Sequence, residues 1–402
     1  MEDIYNLKKR IESQNRALEE SSISRRNKEI IRRFVKYLEI NSYSNQRISK
    51  YINKLNIIAE ILKVDFDKVK KENIENLILK IRERKFCNRL LSQETIIDYN
   101  IIIKRFYKWL LGNEETFPKE VSWLKTTVPK SKKKLPENLL NDENVEKLIK
   151  NAKTLRDKCI ISVLYDSGMR IGELLTCKIK HVSFFNDYAE IQNPEGKTGS
   201  RRILLIPSVP YLLNWIQNHP LGKEDDCLFI SLCNKSQFER MTPKNVNRML
   251  KELAKKCNIN KRISCHQFRH ASATKSARFL TDAQMKERFG WVQDSKMASV
   301  YIHMSGRDSY DAVKRMYGIK EQVEVKENMK PVKCHICDTI NGFEHKYCRK
   351  CGRALSLEVV MEKEEKDKDL IEFIKSIEGL KKINPELFNM LKELGKQKGI
   401  IA

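Results

Sequence analysis

Residues 265–270 read CHQFRH, which gathers two of the chain's seven histidines around one arginine. His266 and Arg269 stand three apart, so on a helix they share one face, one turn from each other, and could meet a single anion there. A short match of this kind also fits a polar helix start with a satisfied histidine. Its weight depends on what else the chain sets beside it.

The 402 residues suffice for two or three domains, each with its own core. Lys and Arg number 78 against 53 Asp and Glu, a formal charge of +25 that makes a polyanion the first partner to consider. No run of some 18 apolar residues is present, as a spanning helix would need. The opening MEDIYNLKKRIESQ mixes charges and lacks an apolar signal region, so a soluble, cytoplasmic protein is expected. Seven of the eleven cysteines are scattered (Cys87, Cys159, Cys177, Cys227, Cys233, Cys257 and Cys265) and read as reduced, small core residues.

Upstream, from Ser24 to Gly112, apolar residues recur at helical spacing, as in Ile31, Phe34, Val35 and Leu38 or Ile96, Tyr99, Ile103, Phe106 and Leu110. This predicts a bundle of about four helices over 24–112, preceded by a helical extension over 1–23. The stretch KTTVPKSKKKLP (125–136) holds five lysines, two prolines and no acid, so it cannot bury a core and marks a basic linker within 113–138. Lys130, Lys132, Lys133 and Lys134 are candidates to lie on phosphates.

A mixed domain is expected over 139–320. CIISVLYDSG reads as an apolar helix stopped at Gly168, and DYAEIQN and RRILLIP as short strands flanking the turn-rich PEGKTGS, a hairpin with Lys197 near its tip. Arg201 and Arg202, where that hairpin resumes, are further candidates to contact DNA. The charged stretch past Gly318 leads to two C-x-x-C pairs within 330–355. The tail, 356–402, is first charge-alternating and then amphipathic, a helix or two that packs on something else.

Four segments of the mixed domain carry chemistry: SGMRIGELL (167–175), EGKTGSRR (195–202), CHQFRH and FGWVQDSKMASVYIHM (289–304). In that order and at those separations they resemble the tyrosine recombinase, or phage-type integrase, family, over roughly residues 24–318, with an archaeal flavour in VQDSKMASV. The resemblance implies a mainly α protein: a helical core-binding domain, then a mixed α+β catalytic domain with a small antiparallel sheet, the two clamping double-stranded DNA. It further implies a site of Arg170, Lys197, His266, Arg269, Trp291 and Tyr301, with Glu173 supporting Arg170, and no metal in the chemistry.

Those residue types suit the reaction. A tyrosine oxygen attacking a phosphodiester builds charge on two non-bridging oxygens, which guanidinium forks such as Arg170 and Arg269 match bidentately. Trp291 stands where histidine is commoner in the family, and its indole N–H can hydrogen-bond but cannot move a proton. Lys197 is the candidate acid for the departing 5′-oxygen, and His266 the imidazole to bond phosphate or help deprotonate Tyr301. His270 and His303 read as bracing residues. Tyr310 and Tyr317 are rival nucleophiles on a helical pattern better suited to packing.

The cysteine pairs, in CHICDTINGFEHKYCRKCG (334–351), are separated by ten residues. Cys334, Cys337, Cys348 and Cys351 at that spacing fit a four-cysteine zinc ribbon holding one structural zinc. His335 and His345 are alternative ligands, and Lys346, Arg349, Lys350 and Arg353 could add a contact.

The expected activity is site-specific DNA recombination through a 3′-phosphotyrosyl intermediate, by a tetramer on two duplexes and away from any membrane. Two alternatives remain at this point: type IB topoisomerase-like nicking and closing, and a DNA-binding protein with an inactive site.

Overall fold

The computed structural model describes residues 4–112, 115–127, 139–193, 199–304, 317, 329–368 and scattered positions between 385 and 393. The chain divides into two compact units, Met1–Leu135 and Pro136–Ala402.

The first unit is helical: α1 (Leu7–Glu20), α2 (Arg25–Ile40), α3 (Asn45–Leu62), α4 (Lys71–Glu83) and α5 (Gln93–Leu111). Serines start two of them, Ser24 accepting from the Asn27 N–H and Ser92 from the Thr95 N–H, which satisfies otherwise orphaned first-turn donors. Phe34, Phe66, Phe106 and Tyr107 fill the core with fully buried rings, and Leu18 of α1 is buried in the same cluster. A two-residue-by-two-residue hairpin, β1 (Lys85–Phe86) and β2 (Arg89–Leu90), joins α4 to α5.

The second unit opens with α6 (Asp142–Asn151), α7 (Leu155–Ser167) and α8 (Ile171–Thr176), followed by β3 (Val182–Phe184), β4 (Ala189–Asn193) and β5 (Arg201–Leu205). These three strands form an antiparallel sheet in sequence order, with Asn193 opposite Arg201 at the last pair before the turn. Then come α9 (Val209–Gln217), α10 (Pro243–Lys256), α11 (Cys265–Ser276), α12 (Asp282–Phe289) and α13 (Met297–Met304), and a last hairpin of β6 (Val332–Lys333) with β7 (Ile340–Asn341). Helix α7 is buried on most sides, through Cys159, Ile160, Ile161, Val163 and Leu164, and forms the axis of the core.

Gly168, which ends α7, shows how this core aims the site. Its φ is +60°, and a Cβ there would fall 2.4 Å from the Phe289 ring and 2.9 Å from Ser272 Oγ, so neither backbone nor space admits a side chain. The turn that follows can therefore press against α11 and α12, with Arg170 next in line.

Of the scattered cysteines, Cys159, Cys177 and Cys265 are buried as expected, Cys227 and Cys257 are half-buried, and Cys87 and Cys233 are exposed, in a turn and a bend rather than a core element. Among the described residues no helix is long and apolar enough to cross a membrane.

Candidate active site and candidate metal centre

Arg170 caps α8, and Glu173 is its main partner. One carboxylate oxygen accepts from Arg170 Nη1 at 2.7 Å and the other from the Arg170 backbone N–H at 3.1 Å. Arg170 Nη2 also donates to the Gly290 carbonyl at 3.3 Å, while about a third of the side chain stays exposed. The guanidinium is thus held at its root with an edge open to solvent.

Arg269, on α11, is almost wholly buried. It donates to the Gly168 carbonyl at 2.8 Å and to the Phe289 carbonyl, and its guanidinium lies 5.4 Å and 5.6 Å from the Phe289 and Trp291 ring centres. Burial, with Arg170 the next cause, pushes its pKa down to about 10, which still leaves it charged at neutral pH. Two cations thus share a site that Glu173 only partly neutralises, an arrangement suited to an anion.

Tyr301, on α13, is 4 % exposed. Its ring stacks on Trp291 at 5.5 Å with planes 1° apart, and Trp291 in turn stacks on Phe289 at 5.1 Å. The Tyr301 hydroxyl hydrogen-bonds His270 Nδ1. Burial pushes the phenol pKa up to about 12, so the hydroxyl is protonated at neutral pH and needs a base to become a nucleophile.

The fold thus brings together Arg170, Arg269, Trp291, Tyr301 and, beside them, His266. The last is exposed on α11 and sets its ring edge-on to His270 at 4.2 Å. The group touching the Tyr301 hydroxyl is His270, which the sequence reading had as a brace. The i, i+4 spacing of 266 and 270 sets both imidazoles on one helix face and makes both candidates, without choosing between them.

Arg201 turns inward onto Glu173, with Nη2 at 2.8 Å from the carboxylate, whereas Arg202 points to solvent. Lys130, Lys132, Lys133, Lys134, Lys197 and Tyr310, with the side chain of His303, lie outside the described residues. Tyr317 is 74 % exposed.

The sulfurs of Cys334, Cys337, Cys348 and Cys351 lie within 4.8 Å of one another, with 3.6 Å from Cys334 to Cys351 and 3.5 Å from Cys337 to Cys348. Tetrahedral zinc with Zn–S near 2.3 Å would separate its sulfurs by about 3.8 Å, so the four thiols fit that ion. Each C-x-x-C knuckle is followed by a left-handed residue, Asp338 (φ 56°) and Gly352 (φ 71°), which curls the chain back over the sulfurs. The knot is also fastened to the catalytic core. Glu344 accepts from the Tyr211 hydroxyl of α9 and pairs with Lys158 of α7 at 3.5 Å. Gly342 sits so close that a Cβ would come 2.7 Å from the Tyr211 hydroxyl oxygen and 2.6 Å from Glu344 Oε2.

Residues 138–318 match the phage integrase family. Among characterised relatives, tyrosine recombinase XerA of Pyrococcus furiosus is 26 % identical over 294 residues, covering 71 % of this chain and 93 % of that protein. A tyrosine recombinase of Thermosipho africanus is 23 % identical over 293 residues, covering 71 % and 99 %. Two solved structures share the fold. One is a lambda integrase dimer bound to a COC′ core site (TM-score 0.54, 15 % identity, 74 % of this chain and 80 % of that one). The other is XerH site-specific recombinase bound to palindromic difH (TM-score 0.52, 17 % identity, 72 % and 83 %). Residues 138–318, which enclose the arginines and the buried tyrosine described above, thus form a phage integrase family domain.

Proposed function

We propose that the protein is a site-specific DNA recombinase that cuts and rejoins strands through a 3′-phosphotyrosyl intermediate. The observation that carries this reading is the Tyr301 hydroxyl, bonded to His270 on a platform of Trp291 beside the Arg269 guanidinium. In the cleavage step the Tyr301 oxygen bonds to phosphorus as its proton passes to His270, and the bond from phosphorus to the 5′-oxygen breaks. Arg170, Arg269 and the exposed imidazole of His266 bond the non-bridging oxygens, where charge develops. Lys197 protonates the departing oxygen. Attack by a second 5′-hydroxyl reverses the sequence and joins a new strand, so one site serves both halves.

Such an exchange needs two duplexes and four protomers, which supports a tetramer acting on cytoplasmic DNA. The net charge of +25 suits phosphate contacts, with Lys130, Lys132, Lys133, Lys134 and the exposed Arg202 as contributors. To test the reading, sheared DNA of the source organism is incubated with the protein, denatured, and the covalently held fragments sequenced. Recurrent junctions, and exchange of flanks between two duplexes carrying them, are expected. Nicking and closing without exchange would replace recombination by a topoisomerase-like activity.

The four-cysteine knot completes the proposal as a site for one zinc, whose closed thiolate sphere supplies structure and leaves no position for substrate. The purified protein is expected to hold about one zinc per chain. Cys334→Ser combined with Cys351→Ser is expected to lose it, and to raise hydrogen exchange in α9, because Glu344 and Gly342 dock the knot on Tyr211. Full zinc content in that double variant would disprove the ligand set.

A further inference from the structure

Strand β5 alternates in burial: Ile203 and Leu205 face the core, while Arg202 and Leu204 face solvent. Arg201 shares the parity of Ile203 and Leu205, so the pleat turns an arginine inward at the base of the hairpin. Its side chain is 11 % exposed, and its bond to Glu173 Oε2, at 2.8 Å, is the one ion pair it makes among the described residues. Nε and Nη1 are buried and, among the described residues, have no hydrogen-bond partner. The other charges acting on it, Arg170 and Arg288, are cations.

An inward arginine held by one carboxylate is a poor device for stability, since buried ion pairs seldom outperform an apolar side chain of similar size. The partner it has chosen is informative. Glu173, itself 5 % exposed, divides its oxygens between the two arginines, 2.7 Å to Arg170 Nη1 and 2.8 Å to Arg201 Nη2. The same carboxylate caps the first turn of α8 through the Arg170 N–H. Arg201 also pairs across the ladder with Asn193, and the seven residues between these two strand ends, 194–200, include Lys197.

We propose that Arg201 is a positioning residue: acting through Glu173, it locks the base of the lysine hairpin and the Arg170 guanidinium into one frame. The inference rests on the recombinase reading and adds to it a residue that touches neither DNA nor the reacting atoms. It also reassigns Arg201 from the phosphate contact that its position in SRR suggested.

The test uses the full-length protein, a duplex carrying a junction recovered from covalent adducts, and single-turnover formation of the adduct. Arg201→Met keeps the bulk and removes the charge. It is expected to fold with a melting temperature at or above the parent's, to bind the duplex with the same affinity and salt slope, and to form adduct about 10²-fold more slowly, as a displaced reacting group would. Arg201→Lys is expected to recover part of that rate, since an ammonium can still reach Glu173. Arg201→Met in a Glu173→Gln background is expected to cost little more than Glu173→Gln alone, because both break one link. An unchanged rate, losses that multiply, or weaker binding with a salt slope flatter by about one would each overturn the proposal, the last by making Arg201 a direct phosphate contact. Should the parent protein form no adduct on any DNA, the recombinase reading fails instead. The frame is then judged from melting alone, where coupling between Arg201→Met and Glu173→Gln retains it and strict additivity removes it.

Discussion

Tyr301→Phe is expected to bind duplex DNA with the parent's affinity and to form no covalent adduct at all. The substitution removes one oxygen and leaves the ring, so the stack on Trp291 and the packing of α13 persist. The guanidinium groups proposed to hold phosphate, on Arg170 and Arg269, are untouched. What disappears is the atom proposed to bond to phosphorus, and His270, its hydrogen-bond partner, would then face a ring edge. Losing that hydrogen bond is expected to lower stability by about 1 kcal/mol, a change readable in melting and separate from the loss of chemistry. Adduct formation is read on a denaturing gel after incubation with the recovered duplex, and affinity by titration of the same DNA. An adduct in the variant, mapped to Tyr310 or Tyr317, would remove Tyr301 from the mechanism.

Much of this site is legible in the sequence because it rests on local rules. The glycine that ends α7 and aims Arg170, the i, i+3 spacing of His266 and Arg269, and the paired C-x-x-C knuckles each depend on a few adjacent residues, and each is found where its spacing puts it. The helical period over 24–112 likewise becomes α2 to α5. What escapes a linear reading depends on long-range packing. That His270 rather than His266 meets Tyr301 follows from how α13 lies on α11, which nothing within CHQFRH determines. Docking of the cysteine knot through Glu344 and Gly342 joins residues more than a hundred positions apart. Arg201 is the intermediate case. Its parity with Ile203 and Leu205 is written in the strand and points it inward, but a basic residue beside a lysine hairpin reads first as a DNA contact, and only the Glu173 partner decides between the two.

Lys197→Ala is expected to slow cleavage of ordinary DNA by roughly 10² to 10⁴, the range of a positioned general acid. In sequence the residue stands between Asn193 and Arg201, the paired ends of β4 and β5, and Arg201 is bonded to Glu173. The competing role is that of a point charge on phosphate, as any exposed lysine would supply. A substrate with sulfur in place of the bridging 5′-oxygen separates these roles. Its leaving group is a thiol, with a pKa near roughly 8.5 and far below an alcohol's, so it departs without a proton donor. The sulfur substrate should therefore restore most of the rate lost in Lys197→Ala. It should leave Arg170→Ala slow, because that guanidinium stabilises charge on non-bridging oxygens, which sulfur at the bridge does not remove. Equal rescue of both variants, or of neither, would take the acid role from Lys197. Arg201→Met adds a third arm to the comparison. If the frame through Glu173 serves mainly to place the lysine, sulfur rescues this variant too; if it serves mainly to hold the Arg170 fork, the variant stays slow with Arg170→Ala.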